Sequence, residues 1–313
     1  KGKDFDKFYD YPLSMEGLKQ FEKKNQIKIN KELKICNKKD QRNKAKNYHE
    51  YIDSFIGPTL RKMFFEKYPQ KIWGISTKKM TPDGAPNRIK FRRKILPFYH
   101  EQYVAVGKYG TGCLYDRIKS FILKLGGKFL LNEDVKNFKS KDGKIIEILT
   151  NKRIYKVKPN EVVISTLPIS IASRLLGKKN QLKFRGICSV YLFYKKKQIL
   201  PKNHHWLYFD SEKVLFNRVT ENKKMSEFVA PKNKSYLTAE ITYSQGDKFS
   251  KLNPKEIIQK VKEQMASTGL VDNEKLIDAS INFEPFVYPV QFSDYKEEVM
   301  RVKSFVESFD NLF

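Results

Sequence analysis

Cysteine is nearly missing from this chain of 313 residues: there are three, Cys36, Cys113 and Cys188, far apart and odd in number. Such a set builds neither a disulfide framework nor a metal-ligand spacing, which fits a reducing cytosol. His204-His205 has no Cys or carboxylate at ligand spacing, so a loop is expected there and a metal site is not. No apolar run approaches the ~20 residues that span a bilayer. No signal peptide is visible, though a truncated N-terminus would hide one. No Gly-x-Gly-x-x-Gly follows a strand, so the glycine turn that cradles a dinucleotide pyrophosphate is missing from these residues. No Asp–His, Ser–His or Cys–His arrangement offers a nucleophilic centre. Internal repeats and low-complexity domains are absent as well.

Positive charge is what the chain has in excess: 62 Lys and Arg against 35 Asp and Glu, a net charge of +27. Nucleic acid and anionic membranes both attract such a chain. The basic residues are nevertheless spread evenly, mostly Lys beside abundant Asn and Ile, as an AT-rich genome places them at ordinary solvated positions. The longest basic runs, Lys195-Lys196-Lys197 and Arg92-Arg93-Lys94, are too short for arms or tails. A non-catalytic basic protein for RNA or membrane calls for clustered Lys and Arg with aromatics at strand spacing. The clustering is lacking, so no nucleic-acid partner is expected. The expected location is cytoplasmic, and a peripheral membrane contact stays open. A hydrophobic fraction of 40%, with 23 Phe and 17 Tyr, supplies a sizeable core. Global disorder is therefore not expected, and one large or two medium domains fit the length.

Periodicity outlines the elements. Residues 1–12 read as a strand or hairpin end, and Ser14 as the cap of a short helix through Phe21. The Lys- and Asn-rich stretch 22–46 reads as an exposed connection or insertion. Tyr48, Tyr51, Ile52 and Phe55 fall on one helical face, broken at Gly57-Pro58, and a further helix carries Leu60, Met63 and Phe64 toward Tyr68. Thr81-Pro82 opens another toward Ile89. Residues 103–107 form a short strand that enters Gly110 and Gly112. The apolar stripe Leu114, Ile118, Phe121, Ile122 and Leu125 follows, ending at Gly126-Gly127. Strands are expected at Lys128–Asn132, Val135–Lys139, Ile145–Thr150, Arg153–Val157 and Val162–Ser165, with Asp142-Gly143 as a hairpin turn. From residue 186 short strands succeed one another, at Ile187–Tyr194, Trp206–Phe209, Val214–Val219 and Ser235–Thr242. That points to a mixed or antiparallel sheet in a second domain. A helix from Pro254 to Met265, a strand at Leu276–Glu284 and a closing helix at Tyr295–Phe309 complete the pattern.

Several short motifs recur in a telling order. Phe8-Tyr-Asp-Tyr-Pro-Leu-Ser is followed by Tyr68-x-x-Lys71-x-Trp73-Gly74 and Arg88-Ile89. Then come Gly107-Lys-Tyr-Gly-Thr-Gly112, Gly126-Gly127 with Val135, Val163-Ile-Ser-Thr-Leu-Pro168, Phe216-Asn-Arg-Val219 and Phe286-Val-Tyr-Pro-Val290. In this order they resemble the FAD-dependent amine-oxidase and protoporphyrinogen-oxidase superfamily, and within it the UDP-galactopyranose mutase-like flavoproteins. Lys1 starts within a hairpin-like segment and Phe313 ends within an apolar run, so the chain reads as the interior of a longer protein whose FAD-fingerprint ends lie outside it. Two segments depart from the mutases: Tyr68-Pro69-Gln70 stands where they show Tyr-Thr-Glu, and Leu13-Ser14-Met15 where they show Phe-Asn-Met.

The resemblance implies an α/β fold with a discontinuous FAD-binding domain, Rossmann-like and of the glutathione-reductase type, plus a mixed α+β substrate domain. Residues 1–102 would be the first, mostly helical part of the substrate domain and 103–185 the middle of the FAD domain. Residues 186–290 would be the substrate domain's mixed sheet, and 291–313 a return to the FAD domain. FAD is the implied cofactor, contacted by Gly110, Thr111, Gly112, Val135, Ser165, Thr166 and Pro168. Tyr68, Trp73, Arg88, Arg218 and Tyr288 would bind a small-molecule substrate, with a nucleotide sugar as the first candidate. Guanidinium suits that role, because its planar fork matches phosphate oxygens and stays charged when buried. Strand alternation puts Arg218 on the face of Phe216. The activity implied is a flavin oxidoreductase or a mutase, with a protoporphyrinogen, amine or carotenoid type of oxidase or dehydrogenase as the alternative.

Overall fold

The computed structural model describes residues 7–38, 41–84, 91–96, 106–201 and 204–313. In chain order the helices are α1 (Lys23–Lys38), α2 (Tyr48–Ile56), α3 (Pro58–Leu60), α4 (Lys67–Trp73), α5 (Gly112–Lys124), α6 (Ile169–Leu175), α7 (Pro254–Ser267) and α8 (Tyr295–Val306). The strands are β1 (Val135–Lys141), β2 (Lys144–Thr150), β3 (Ile154–Lys156), β4 (Phe184–Tyr194), β5 (Trp206–Tyr208), β6 (Arg218–Glu221), β7 (Ser235–Tyr243) and β8 (Leu276–Pro289). The chain is thus a mixed helix-and-sheet protein. It divides into two compact units, Lys1–Tyr115 with Phe184–Phe292, and Asp116–Lys183 with Ser293–Phe313. No helix of the described residues is long and apolar enough to cross a membrane.

In the first unit the stretch expected as an exposed connection, 22–46, instead contains the 16-residue helix α1. Its Lys, Glu and Gln are good helix formers, and Ile29 and Leu33, four apart, bury one narrow stripe. Glu32 ties α1 to the next turn by accepting from the Thr59 amide at 2.9 Å and its hydroxyl at 2.7 Å. Asn47 caps α2 through the Glu50 amide, which frees the helix to bury Tyr48, Tyr51, Ile52 and Ile56. Gly57 breaks it at φ +86°, where an added Cβ would stand 2.7 Å from Glu32 Cβ. Ser14 accepts from the Gly17 amide at 2.9 Å and starts a 3₁₀ turn, Gly17–Gln20. A π-helical turn, Arg61–Phe65, leads into α4. Buried Arg61 anchors this turn to Asp53 at 2.6 Å and Glu66 at 2.5 Å. The expected helix toward Ile89 and the strand at 103–107 lie mostly outside the described residues; Val106 and Gly107 are irregular.

The sheet of this unit is antiparallel, in the order β5-β6-β7-β4-β8. Alternation gives it one greasy face: Cys188, Val190, Leu192 and Tyr194 of β4 and Leu237, Ala239 and Ile241 of β7 cluster with Ile257, Val261 and Met265 of α7. An Asn253–Glu256 capping box begins α7. The opposite face carries the alternate, more polar residues. The expected strand at Val214–Val219 starts only at Arg218; residues 209–217 form a loop instead. β8 runs five residues further than expected, to Pro289.

The second unit holds the antiparallel meander β1-β2-β3. Its hairpin turn is Asp142-Gly143, with φ of +49° and +73°, the left-handed pair such a two-residue turn requires. Phe138, Ile145, Val163 and Leu312 form its core, with residues of α6 and α8 packed around them. Two strand expectations fail here. Lys128–Asn132 is irregular, and Val162–Ser165 makes only a parallel bridge, Val163 to Leu312, with Val162 and Ile164 exposed. β-branched composition favours a strand, but a strand exists only where a neighbouring backbone pairs with it. Here the pairing among the described residues is short: the Asn311 and Phe313 carbonyls accept from Val163 and Ser165, and the Val163 carbonyl accepts from Phe313. Helix α5 forms as its stripe predicts, yet none of its residues is buried.

Candidate functional site

Helix α4 is short, and it presents Tyr68 and Trp73 to the open face of the five-stranded sheet. Its C-terminal end is bolted to β4 and β7. Arg185 of β4 donates from Nε to the Ile72 carbonyl (3.1 Å) and from Nη2 to the carbonyls of Lys71 (3.1 Å) and Thr242 (3.0 Å). The Thr242 hydroxyl donates to the Lys71 carbonyl at 2.6 Å. Gly74 closes the helix at φ +66°, and a Cβ there would meet Arg185 Nη1 at 2.7 Å. The Trp-Gly pair of the motif therefore records a close approach of a buried guanidinium.

Four of the residues expected to bind substrate converge here. Tyr68 meets Tyr208 edge-to-face at 5.3 Å, and Trp73 meets Tyr288 at 6.4 Å. Tyr11 closes on Tyr208 at 5.7 Å. Arg218 sits among these rings; its charge is felt by Tyr68 and is itself influenced by Tyr208 and Tyr288. The fifth, Arg88, lies outside the described residues. Burial, then neighbouring Tyr208, pushes the Tyr68 phenol far up, opposed by Arg218 and Asn217, so it is a neutral donor and acceptor at any physiological pH. Asn217 is buried, and its Oδ1 has no partner among the described residues.

Arg218 is not where alternation places it. Phe216 lies in the 209–217 loop and is buried with Val219 in the core under the sheet, so Arg218 points the other way. Its fork is already engaged: Nε and Nη2 donate to the two carboxylate oxygens of Glu240 at 2.9 and 2.6 Å. Burial pulls the guanidinium pKa down. The hydrogen bonds and charge of Glu240 outweigh this and raise it. The side chain is 36% exposed, and Nη1 has no acceptor among the described residues. Register extends the pair into a row across the sheet, Tyr208–Arg218–Glu240–Ser189–Asn282. Paired positions of adjacent strands share a face, so this row is a floor of donors and acceptors beneath a wall of aromatic rings. Such a combination can seat a polar, hydroxyl-bearing ligand: rings cover its apolar faces, Glu240 and Asn217 accept from hydroxyls, and Arg218 Nη1 donates to an anionic oxygen.

The residues expected at the cofactor fall into two groups. In the first unit, Gly110 turns at φ +98° with its amide on the Gly107 carbonyl at 2.8 Å, Thr111 accepts from the Leu114 amide, and Gly112 begins α5. In the second, Val135 opens β1 beside the small core. The Ser165 amide donates to the Phe313 carbonyl at 2.7 Å, while the Ser165 Oγ is buried with no partner among the described residues. Thr166 is exposed, and the Pro168 carbonyl accepts the amides of Ile171 and Ala172 at the start of α6. A hydroxyl without a protein partner can donate to or accept from a ligand. Among the described residues no cluster of His, Cys, Asp or Glu could hold a metal.

Sequence reasoning missed Tyr11, Asn217, Glu240, Arg185 and Lys71 as parts of this site. Glu240 had a signal: it is one carboxylate in the otherwise uncharged strand Leu237-Thr-Ala-Glu-Ile241. Lys71 stood inside the quoted motif and was passed over.

No family model matches the sequence, and neither does any curated protein. Solved structures do match. Reduced UDP-galactopyranose mutase superposes with a TM-score of 0.77 at 16% identity, over 97% of this chain and 68% of that one. A putative protoporphyrinogen oxidase from Exiguobacterium sp. 255-15 gives 0.69 at 13%, over 94% and 67%. An oxidoreductase from Methanosarcina mazei gives 0.53 at 14%, over 88% and 64%. At these identities the likeness is one of fold, shared with a UDP-galactopyranose mutase and a putative protoporphyrinogen oxidase.

Proposed function

We propose that this chain is part of an FAD-dependent enzyme of the amine-oxidase superfamily and that its first unit binds a nucleotide sugar. The observation that carries the substrate reading is the convergence of Tyr68, Trp73, Arg218 and Tyr288 over the polar row, in a fold shared along 97% of the chain with a UDP-galactopyranose mutase. The first unit is the substrate domain in this reading, and the second belongs to the FAD domain. Ser165 and Thr166 would face the flavin, and Val135 the adenine through its backbone. Bound FAD would supply either a nucleophilic nitrogen for a mutase or an acceptor of hydride for an oxidase.

The residues of this chain would do the rest. Trp73, Tyr68 and Tyr288 exclude water from the sugar and base. Glu240 holds the Arg218 guanidinium in one orientation, so that Nη1 can meet a phosphate oxygen without first losing side-chain freedom. A second reading, an oxidase acting on another small molecule, is favoured by the likeness to the putative protoporphyrinogen oxidase over 94% of the chain. Purified full-length protein decides between them. A flavin absorbance spectrum together with saturable binding of UDP-galactose, followed by tryptophan fluorescence, is the expected result. Flavin without UDP-galactose binding, accompanied by oxygen consumption with an amine or a porphyrinogen, overturns the nucleotide-sugar reading in favour of the oxidase. Absence of flavin overturns both.

A further inference from the structure

We propose that Lys71 is a positioning residue whose ammonium group sets the loop 209–217, and with it the Tyr208, Asn217 and Arg218 side of the candidate site. The ammonium Nζ lies 2.8 Å from the Phe216 carbonyl oxygen, 2.9 Å from Val214, 3.0 Å from Ser211 and 3.4 Å from Phe209. Four carbonyls of one loop thus converge on one cation that has three hydrogens to give. The short contacts take the hydrogens, and the fourth carbonyl adds its dipole. A loop folded this way is self-repelling without its cation: four inward carbonyls would face one another and be left without donors.

Surface lysines ordinarily reach water or a carboxylate, but no carboxylate of the described residues forms an ion pair with Lys71. Asp210 and Glu212, both on the loop, lend it charge at longer range. Glu212 itself pairs with Lys67 at 3.5 Å. From the sheet side Arg185 donates to the Lys71 carbonyl, and Arg185 Nη1 in turn lies 3.9 Å from Asp247. Burial draws the Lys71 ammonium down to about 8, opposed by Asp210 and then Glu212. A value below that of a solvated lysine means that burial penalises the charged form, a cost that the four carbonyl contacts offset.

This arrangement passes position from one element to another. Arg185 and Thr242 fix the backbone of α4 against β4 and β7. The Lys71 side chain, leaving the same helix between Tyr68 and Trp73, carries that placement across to the loop. Tyr208 precedes the loop, Asn217 ends it, and Arg218 follows it directly. One residue thereby registers the aromatic wall and the guanidinium floor against each other. Other anchors of the loop include the Phe209 amide on the Asn217 carbonyl, the Asn217 amide on the Glu240 carbonyl and the Leu215 amide on Gln264 Oε1. Those protected amides make the loop observable by hydrogen exchange.

The test compares the parent protein with Lys71→Met, which keeps the apolar stem and removes the charge. Amide exchange is followed at about pH 6.5 in peptides covering 209–217 and, as an internal check on folding, in β4. Loop protection should be about tenfold or more lower in Lys71→Met than in the parent while β4 stays protected. Lys71→Gln, whose amide still donates hydrogen bonds, should restore part of that protection. A filler whose aliphatic stem alone mattered would leave the loop equally protected in the parent and in Lys71→Met. Parent-like loop protection in Lys71→Met overturns the proposal. If Lys71→Met does not fold, Lys71→Gln decides, because parent-like loop protection with fewer donors refutes the cage. Titration with UDP-galactose, which rests on the nucleotide-sugar reading, should show about tenfold weaker binding by folded Lys71→Met. If the parent itself fails to bind that probe, the substrate reading falls, and the exchange data judge Lys71 separately.

Discussion

At the scale of single residues, Arg218 shows how pairing changes what a charge can do. A lone arginine in a pocket reads as an anion receptor, but here two of its donor groups are committed to Glu240 at 2.6 and 2.9 Å. The pair is nearly neutral as a unit, and only the Nη1 edge remains for a ligand. A charge-assisted contact there is worth roughly 1.5–3 kcal/mol, against well under ~1 for an exposed lysine. Arg218→Ala should therefore weaken binding of an anionic ligand such as UDP-galactose by roughly one to two orders of magnitude. Lys197→Ala, on an exposed turn, should leave it unchanged. Calorimetric titration of both variants, with flavin content and fold checked first, makes the comparison. Equal affinities would reduce Arg218 to a structural partner of Glu240. The sequence showed the identity of Arg218, since a cation in an apolar and aromatic segment stands out. It did not show Glu240 opposite it, because cross-strand register is a long-range property with no local signature.

At the scale of elements, legibility tracked how local each cause was. Helix α2 was readable because its cap, Asn47, its stripe and its breaker, Gly57-Pro58, are all adjacent in sequence. The Asp142-Gly143 hairpin was readable for the same reason. Helix α1 was misread because only Ile29 and Leu33 face the core, too thin a stripe to stand out among lysines and asparagines. Strand Val162–Ser165 was over-read, because composition alone cannot supply a partner. If α1 is part of the core and not an insertion, Ile29→Ala should destabilise the protein by about 2–5 kcal/mol, the usual range for truncating a fully buried isoleucine. Gly57→Ala should also cost on the order of 1–3 kcal/mol, since the residue sits at φ +86° with Glu32 Cβ 2.7 Å from the added methyl. Denaturant unfolding of both variants measures this. A change below about 0.5 kcal/mol for Ile29→Ala would return 22–46 to the status of a dispensable connection.

At the scale of the whole molecule, the motifs are spread along the chain in the order of a known architecture, which is why the fold was legible although no one motif was specific. The even spread of +27 charges carried no such information, because solvated lysines constrain neither fold nor site. What the linear pattern could not reveal is how unequally the two units are stabilised. The sheet core of the first unit runs through four strands and α7 and includes eighteen buried residues. The second unit's core has four: Phe138, Ile145, Val163 and Leu312. Each cluster draws its members from one unit. Burial of apolar area is the main favourable term in folding, so the smaller core should give way first, and heating should produce two transitions instead of one. Ile145 is 1% exposed and Val190 0%, so truncating either to Ala removes buried methyl groups from one core alone. Ile145→Ala should lower the first calorimetric transition by several degrees and leave the second in place. Val190→Ala should do the reverse. A single transition that both substitutions lower equally would mean that the two cores unfold as one cooperative structure.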